Sequence, residues 1–189
     1  MQLTHAVSLQ PTTRQSVAAQ TLGIVFFAGL TALGAQIELP HQPVPYTMQT
    51  FFVLLSGALL GKRNGAICQG LYLLAGAMGL PVFAQWGFGV ARILGPTGGY
   101  LLAFPVAAFT IGYILGNRRE FLWSLIAMII GLFVIFTLGT LQLNVVFFHN
   151  WSEAFRNGFL IFSWWDAAKL AGAALLYNRL SGRTPLVRK

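Results

Sequence analysis

The sequence is poor in charge. Of its 189 residues, 8% are Asp, Glu, Lys or Arg, only 4 are acidic, and 56% are hydrophobic. A water-soluble domain usually carries about 25% charged residues. A soluble core of this size could not hide so much apolar surface, so the mean hydropathy of +0.69 predicts an integral membrane protein.

Several kinds of chemistry are also missing. The single cysteine, Cys68, excludes an intramolecular disulfide and a cluster of thiolate metal ligands. His5, His41 and His149 lie far apart and form no H-E-x-x-H motif. Neither a G-x-S-x-G elbow nor a Walker lysine occurs. We therefore predict no metal, no cofactor and no catalytic residues, and any ATPase that the function needs must be another chain.

The formal net charge is nevertheless +8. The basic residues sit in short clusters between apolar runs, as in "GKRNG" and "GNRRE". Such clusters follow the positive-inside rule of membrane proteins. We therefore expect a lipid membrane around the chain and no nucleic-acid partner.

Six apolar segments predict an all-α bundle of six transmembrane helices, because a span needs about 20 mostly apolar residues. The predicted helices cover residues 16–37, 46–60, 66–80, 96–115, 121–148 and 158–180. The second and third are short for a span. Residues 82–92, rich in glycine and aromatic residues, are predicted to form a loop.

Six helices place both termini on one side of the membrane. That side then receives most of the basic residues, namely Arg14, Lys62, Arg63, Arg118, Arg119, Arg179, Arg183, Arg188 and Lys189. The positive-inside rule therefore predicts cytoplasmic termini. The predicted parts are a cytoplasmic tail (1–15), a transmembrane domain (16–180) and a basic cytoplasmic tail (181–189). Residues 1–15 do not resemble a cleaved signal peptide.

The stretch "FSWWDAAKLAGAALL" places an acid and a base inside an apolar helix. Asp166 and Lys169 are three residues apart and so share one helix face. A charge at the centre of a membrane helix costs about 2.5–3.5 kcal/mol on insertion scales, and such a residue is by default a candidate for a functional site. Two alternatives stay open, a structural ion pair or an aspartate near the interface beside Trp164 and Trp165. The position in the outer half of the helix favours a pocket open to the outer face.

Three further segments are candidates for a functional role. The outer loop "ELPHQPVPYT" has three prolines, which restrict its conformations, so it is either a rigid lid or an ordinary connection. The segment "GPTGGY" is typical of a tight helix entry. Ala28 and Ala32 form A-x-x-x-A, which allows a second helix to approach closely, whether from a partner or from the same bundle.

The motifs "PVPYTMQT", "GLPVFA", "GPTGGYL" and "DAAKLAGAALL" follow one another between residues 16 and 180. With them the chain resembles the BioY family, the biotin-specific substrate-binding components of energy-coupling factor (ECF) transporters. The resemblance implies a six-helix bundle in the bacterial cytoplasmic membrane, with one biotin pocket near the outer face. It implies a transmembrane coupling protein and ATPase subunits as partners, with Ala28 and Ala32 similar to the docking motif. Association with further copies of the chain stays open.

The resemblance also implies binding residues. The D-x-x-K motif assigns Asp166 to the ureido N–H groups of biotin and Lys169 to the ureido carbonyl, since a carboxylate accepts and an ammonium donates. Arg92 or Lys169 is implied for the ligand's carboxylate. Pro43 and Pro45 belong to the implied gating loop. The other implied pocket residues are Tyr46, Gln49, Gln85, Trp86, Phe88 and Tyr100.

The implied function is biotin uptake by a component that binds its substrate and is not an enzyme. One alternative is a related component for another small vitamin, such as riboflavin or thiamine. A second alternative, from a different class, is a membrane enzyme. No nucleophile–base pair in the sequence favours an enzyme.

Overall fold

The computed structural model describes residues 13–161 and 164–181. This part of the chain is mostly helical, as predicted. Its α-helices are α1 (Thr13–Gln36), α2 (Gln49–Ala77), α3 (Val90–Leu94), α4 (Gly98–Leu115), α5 (Phe121–Leu143), α6 (Trp151–Ala154) and α7 (Trp164–Leu180). The shorter elements are strands β1 (Glu38–Leu39) and β2 (Tyr46–Thr47), a 3-10 turn (Ala84–Trp86) and two π-helical turns (Asn144–Phe148 and Phe155–Phe159).

The α2 segment is a helical hairpin. Gly61 has φ 76° and ψ 176°, a backbone conformation outside the helical region that glycine adopts readily. The side-chain nitrogen of Gln69 lies 2.9 Å from the hydroxyl oxygen of Ser56, 13 residues earlier. In a straight helix these residues would be about 20 Å apart. The chain therefore reverses at Gly61 into two antiparallel arms, which agree with the two short helices predicted here.

The centre of the bundle is the contact between the α2 hairpin and α4, and α5 packs on α4 and also reaches α2. Small residues allow this close approach. A Cβ atom at Gly57 would lie 2.6 Å from the carbonyl oxygen of Ala108, so glycine is the residue that fits there. Helix α1 packs on α2, and α7 packs on both α2 and α5.

The described helices that are long and apolar enough to cross a membrane are Val17–Gln36, Gln49–Ala77, Gly98–Leu115 and Phe121–Phe148. The pair Trp151–Phe159 and Trp164–Leu180, bent by 49°, makes a fifth span if it is counted as one. The two arms of the α2 hairpin are about 18 and 24 Å long. Each arm is therefore shorter than the hydrocarbon core of about 30 Å.

The prolyl segment after α1 forms a small antiparallel ribbon, in which Glu38 pairs with Thr47 and Leu39 with Tyr46. The backbone N–H of Met48 donates to two carbonyl oxygens at the end of α1, each at 3.0 Å. These bonds hold the beginning of α2 against the end of α1. The residues between the strands are thereby kept at that end of the bundle.

Two predicted segments differ from the structure. Residues 82–92 are not a plain loop, because they contain the 3-10 turn and most of α3. The connection after α5 is also helical, since the Asn150 side chain caps α6 by accepting from the backbone N–H of Ser152 at 3.0 Å. As a result the last helix, α7, begins at Trp164 rather than near residue 158.

The terminal tails fall mostly outside the described residues. Helix α1 begins at Thr13, so the last three residues of the predicted tail, 13–15, are helical. Residues 1–12 and 182–189 lie outside the part of the chain that the structure describes.

Candidate functional site

A cavity lies where the prolyl segment, the start of α2, and helices α4, α5 and α7 meet. The empty space within it, including the open region at its mouth, is about 720 Å³. Apolar side chains form much of the wall, among them Val44, Phe83, Leu101, Phe104, Phe136 and Ile161. The predicted residues that also line it are Tyr46, Gln49, Arg92, Tyr100, Asp166 and Lys169.

Asp166 and Lys169 form a buried ion pair in the wall of this cavity. The ammonium nitrogen lies 2.7 Å from the carboxylate oxygen Oδ1, and the two side chains are only 3% and 4% exposed. Both residues follow the start of α7 at Trp164, and their spacing puts them on one helix face. Buried charges are tolerated when they are paired and hydrogen-bonded, which is the case here.

The Lys169 ammonium has two further acceptors. It donates to the backbone carbonyl of Thr47 at 2.9 Å and to the hydroxyl oxygen of Thr50 at 2.7 Å. An ammonium has three hydrogens, so with Asp166 all three are used. Lys169 thereby joins α7 to the end of the prolyl segment and to the first turn of α2.

Gln49 belongs to a second buried hydrogen-bond chain. Its carbonyl oxygen accepts from the Thr47 hydroxyl at 2.8 Å, and its amide nitrogen donates to the hydroxyl of Tyr72. Tyr72 in turn donates to the carbonyl of Val82 at 3.2 Å. Gln49 therefore links the two arms of the α2 hairpin at the cavity wall, and through Tyr72 it is connected to the segment that carries Phe83.

The other polar groups of the cavity differ in whether they already have a hydrogen-bond partner within the protein. The Tyr100 hydroxyl donates to the Gly158 carbonyl at 2.9 Å. Arg92, on α3, is half-buried and packs over Gly87. Within residues 13–161 and 164–181, no ion pair or hydrogen bond to the Arg92 side chain is found. Arg92 is therefore a cation that can meet an anionic group in the cavity.

Tyr46 is the aromatic residue of the prolyl segment at the cavity. Burial, and then the negative charge of Asp166, raise the pKa of the Tyr46 phenol above its ordinary value. The phenol therefore stays neutral near pH 7 and is available as a hydrogen-bond donor. Its ring also contacts that of His41, with a centroid separation of 4.9 Å.

This set of groups suits a neutral polar ring with an apolar body and an anionic end. The wall carries the carboxylate of Asp166, the ammonium of Lys169, the guanidinium of Arg92, two phenols and a few amide and hydroxyl groups among apolar side chains. An apolar space with a few placed polar groups is the usual form of a small-molecule site. Among the described residues, no group of three or more His, Cys, Asp or Glu side chains could hold a metal ion.

A comparison with models of protein families identifies the family of this chain. A model of the BioY family matches residues 6–185, nearly the whole chain. The chain belongs to the BioY family. The predicted resemblance is thus confirmed.

Individual members of the BioY family and a solved structure agree with this assignment. The biotin transporter BioY of Thermotoga maritima is 44% identical over 154 residues, which cover 82% of this chain and 90% of that protein. The probable biotin transporter BioY of Pyrococcus horikoshii is 43% identical over 161 residues, covering 85% and 95%. The crystal structure of the S-component for biotin from an ECF-type ABC transporter matches with a TM-score of 0.82 at 25% identity, covering 93% of this chain and 96% of that one.

Three residues predicted for the BioY pocket, Gln85, Trp86 and Phe88, do not line this cavity. Gln85 and Trp86 are exposed and do not line the cavity. Both have positive φ angles, 57° and 56°, in a tight turn that directs their side chains away from it. The Trp86 backbone N–H donates to the side-chain oxygen of Gln36 on α1 at 3.1 Å. Phe88 is likewise exposed, and Phe83 forms the aromatic wall instead.

The predicted gating residues and docking residues are only partly where the BioY resemblance placed them. Pro45 lines the cavity, whereas Pro43 does not and its neighbour Val44 does. Ala28 is buried in the core of this chain, and Ala32 is half-buried against that core. Ala28 therefore packs against other helices of this chain.

Sequence reasoning missed several cavity residues. The most informative are Thr47 and Thr50, which bind the Lys169 ammonium, and Phe136, which lines the cavity from α5. Both threonines lie in the quoted motif "PVPYTMQT", so the motif pointed to them although no role was assigned. Phe136 lies within a uniformly apolar helix and has no local signal that distinguishes it.

Proposed function

We propose that the chain binds biotin and takes it up across the membrane as the substrate-specific component of an ECF-type transporter. The observation that carries this proposal is the match over nearly the whole length to proteins named as biotin transporters and to the S-component for biotin. The protein is a transporter component and not an enzyme. Hydrolysis of ATP is assigned to separate subunits.

The proposed binding site is the cavity that contains the Asp166–Lys169 pair. A fused ureido ring offers two N–H donors and one carbonyl acceptor. Asp166 accepts from a ureido N–H, and Arg92 binds the carboxylate of the valerate chain as a charged donor. Phe83, Phe104 and Phe136 surround the apolar rings. Lys169 acts mainly by holding its neighbours, since its three hydrogens are already bonded within the protein.

Biotin is distinguished from other vitamins by direct binding. The purified full-length protein, in detergent or lipid nanodiscs, is titrated with biotin, riboflavin and thiamine under the same conditions. We expect saturable binding of one biotin molecule per protein molecule. Riboflavin and thiamine should give neither a heat of binding nor quenching of the protein fluorescence. Binding of riboflavin or thiamine in preference to biotin would establish the alternative of a component for another vitamin. No ligand-dependent signal with any of the three would refute the proposal.

The proposed topology has six membrane-embedded helical segments with both termini in the cytoplasm. The reversal of α2 at Gly61 supports it, because the hairpin supplies two of the six segments. The hairpin tip then carries Lys62 and Arg63, on the same side as the Arg118 and Arg119 loop, as the positive-inside rule requires. The membrane is proposed to be the bacterial cytoplasmic membrane, with transmembrane residues 16–180 between two cytoplasmic tails.

The proposed partners are a transmembrane coupling protein and ATPase subunits. Helix α1 is a suitable docking element because one of its faces is exposed along its length, including Leu22, Phe26 and Leu33. Gly29 lies on this face with open space around its Cα, so another helix can approach closely there. Half-buried Ala32 borders the face. We expect Gly29→Trp to abolish co-purification with the coupling protein, and full co-purification would exclude docking on this face.

A further inference from the structure

The Thr50 hydroxyl bonds Lys169 in the wall of the cavity. Its oxygen lies 2.7 Å from the Lys169 ammonium nitrogen, and Thr50 is part of the cavity wall. In this bond the ammonium donates and the hydroxyl oxygen accepts, which leaves the hydroxyl hydrogen for another acceptor. Within residues 13–161 and 164–181, the hydroxyl has no such acceptor.

Lys169 cannot donate a hydrogen bond to a ligand carbonyl without losing one of the hydrogen bonds that it already makes. Its three hydrogens are taken by Asp166, by the Thr47 carbonyl and by Thr50. A hydroxyl that accepts from a cation is polarised, and hydrogen bonds in such a chain strengthen one another. The Thr50 hydroxyl is therefore a better donor than an ordinary threonine.

We propose that Thr50 contacts the ligand, and that its hydroxyl donates to the ureido carbonyl oxygen while accepting from Lys169. The inference rests on the proposed function for the identity of the ligand. Thr50 and the Asp166 carboxylate lie at the same distance, 2.7 Å, from one nitrogen atom. They are thus close enough to bind the adjacent C=O and N–H groups of one ring, and Lys169 is the positioning residue for both.

The test compares biotin with 2-thiobiotin, in which sulfur, a weaker acceptor, replaces the ureido oxygen. Thr50→Val keeps the shape of the side chain but removes the hydroxyl. We expect it to weaken biotin binding about tenfold, the usual size for one hydrogen bond with charge assistance. The affinity for 2-thiobiotin should fall much less, and Thr50→Ser should restore biotin binding to nearly the wild-type value. The matched control is Thr110→Val on α4, whose hydroxyl bonds its own helix at the Val106 carbonyl, and which should leave both affinities unchanged.

Thermal unfolding is measured alongside, and Thr50→Ala replaces Thr50→Val if the latter does not fold. An equal loss for biotin and 2-thiobiotin would overturn the inference, because it would show that Thr50 only supports Lys169. Unchanged biotin affinity in Thr50→Val, with a wild type that binds biotin, would refute the inference alone. A wild type that does not bind biotin would refute the proposed function and this inference with it.

Discussion

The ammonium nitrogen of Lys169 lies 2.9 Å from the backbone carbonyl oxygen of Thr47, 122 residues earlier in the chain. This one bond fastens α7 to the prolyl segment, and the same lysine also bonds Asp166 and Thr50. A buried charge that ties three segments together is both a structural element and a part of the site. The predictions below separate these contributions.

Removing either charge of the buried pair should weaken biotin binding. We expect Asp166→Asn to lower the affinity by about ten- to a hundredfold, since a charged hydrogen bond contributes about 1.5–3 kcal/mol. Lys169→Met should have an effect of similar order, because it strands Asp166 and releases Thr47 and Thr50. Breaking a buried pair costs about 3–5 kcal/mol, so both single variants should also unfold at lower temperature.

The double variant Asp166→Asn, Lys169→Met distinguishes an ion pair that only stabilises the fold from one that also binds the ligand. It removes both charges together, so much of the stability lost in the single variants should return. Biotin titration and thermal unfolding are measured on the same sample. We expect a folded protein that binds biotin poorly. Normal affinity in this double variant would show that the pair is structural only.

Arg92 should recognise the carboxylate of the ligand. Arg92→Met is expected to reduce biotin affinity by about tenfold or more, because one charged hydrogen bond is lost. Biotinamide, which has no carboxylate, should bind the wild type and this variant about equally. Arg92→Lys should keep part of the affinity, since a lysine retains the charge but not the planar fork. Equal losses for biotin and biotinamide would assign Arg92 to folding instead.

The Gly57 contact should be intolerant of any side chain. A Cβ atom there would meet the Ala108 backbone at 2.6 Å, so Gly57→Ala forces the α2 hairpin away from α4. Overpacking of this kind costs about 1–3 kcal/mol. We expect a clear fall in the unfolding temperature. The control is Gly70→Ala in the second arm of the hairpin, where no atom lies within 4 Å of the added Cβ and stability should be kept.

Cysteine labelling in intact cells tests the proposed topology. In a Cys68→Ser background, single cysteines replace Asn64 near the hairpin tip and Asn117 in the loop after α4. An impermeant thiol reagent should label neither until the membrane is opened. Gln42→Cys in the prolyl segment is the control for the outer side and should be labelled at once. Labelling of the Asn64 variant from outside would exclude cytoplasmic termini in a six-segment topology.

Much of the fold was predictable because the strongest signals are local. Glycine and the basic cluster near Gly61 marked the turn between two short apolar segments, and the structure has its hairpin there. The connection after α5 was less predictable. It becomes helical through the Asn150 cap and two π-helical turns, features that depend on a few local bonds rather than on hydropathy. The start of α7 was consequently misplaced by several residues.

The candidate site was predictable in part. Asp166 and Lys169 stood out because charge is rare in this chain, and the family motifs indicated Arg92, Gln49 and Tyr100. Gln85 and Trp86, which the motifs also indicated, do not line the cavity, and both lie in a turn with positive φ angles. A motif identifies a segment, but it does not determine which way each side chain in that segment points.

The sequence by itself determined that the protein is an integral membrane bundle of the BioY family with a buried acid–base pair. These properties depend on hydropathy, charge clusters and motif order, which are all properties of neighbouring residues. Only the tertiary structure decided that the hydrogens of Lys169 are shared among Asp166, Thr47 and Thr50, and that Ala28 faces the core of its own chain. The physical reason is that a buried group is satisfied by whichever partners packing brings within about 3 Å, and these come from segments far apart in sequence.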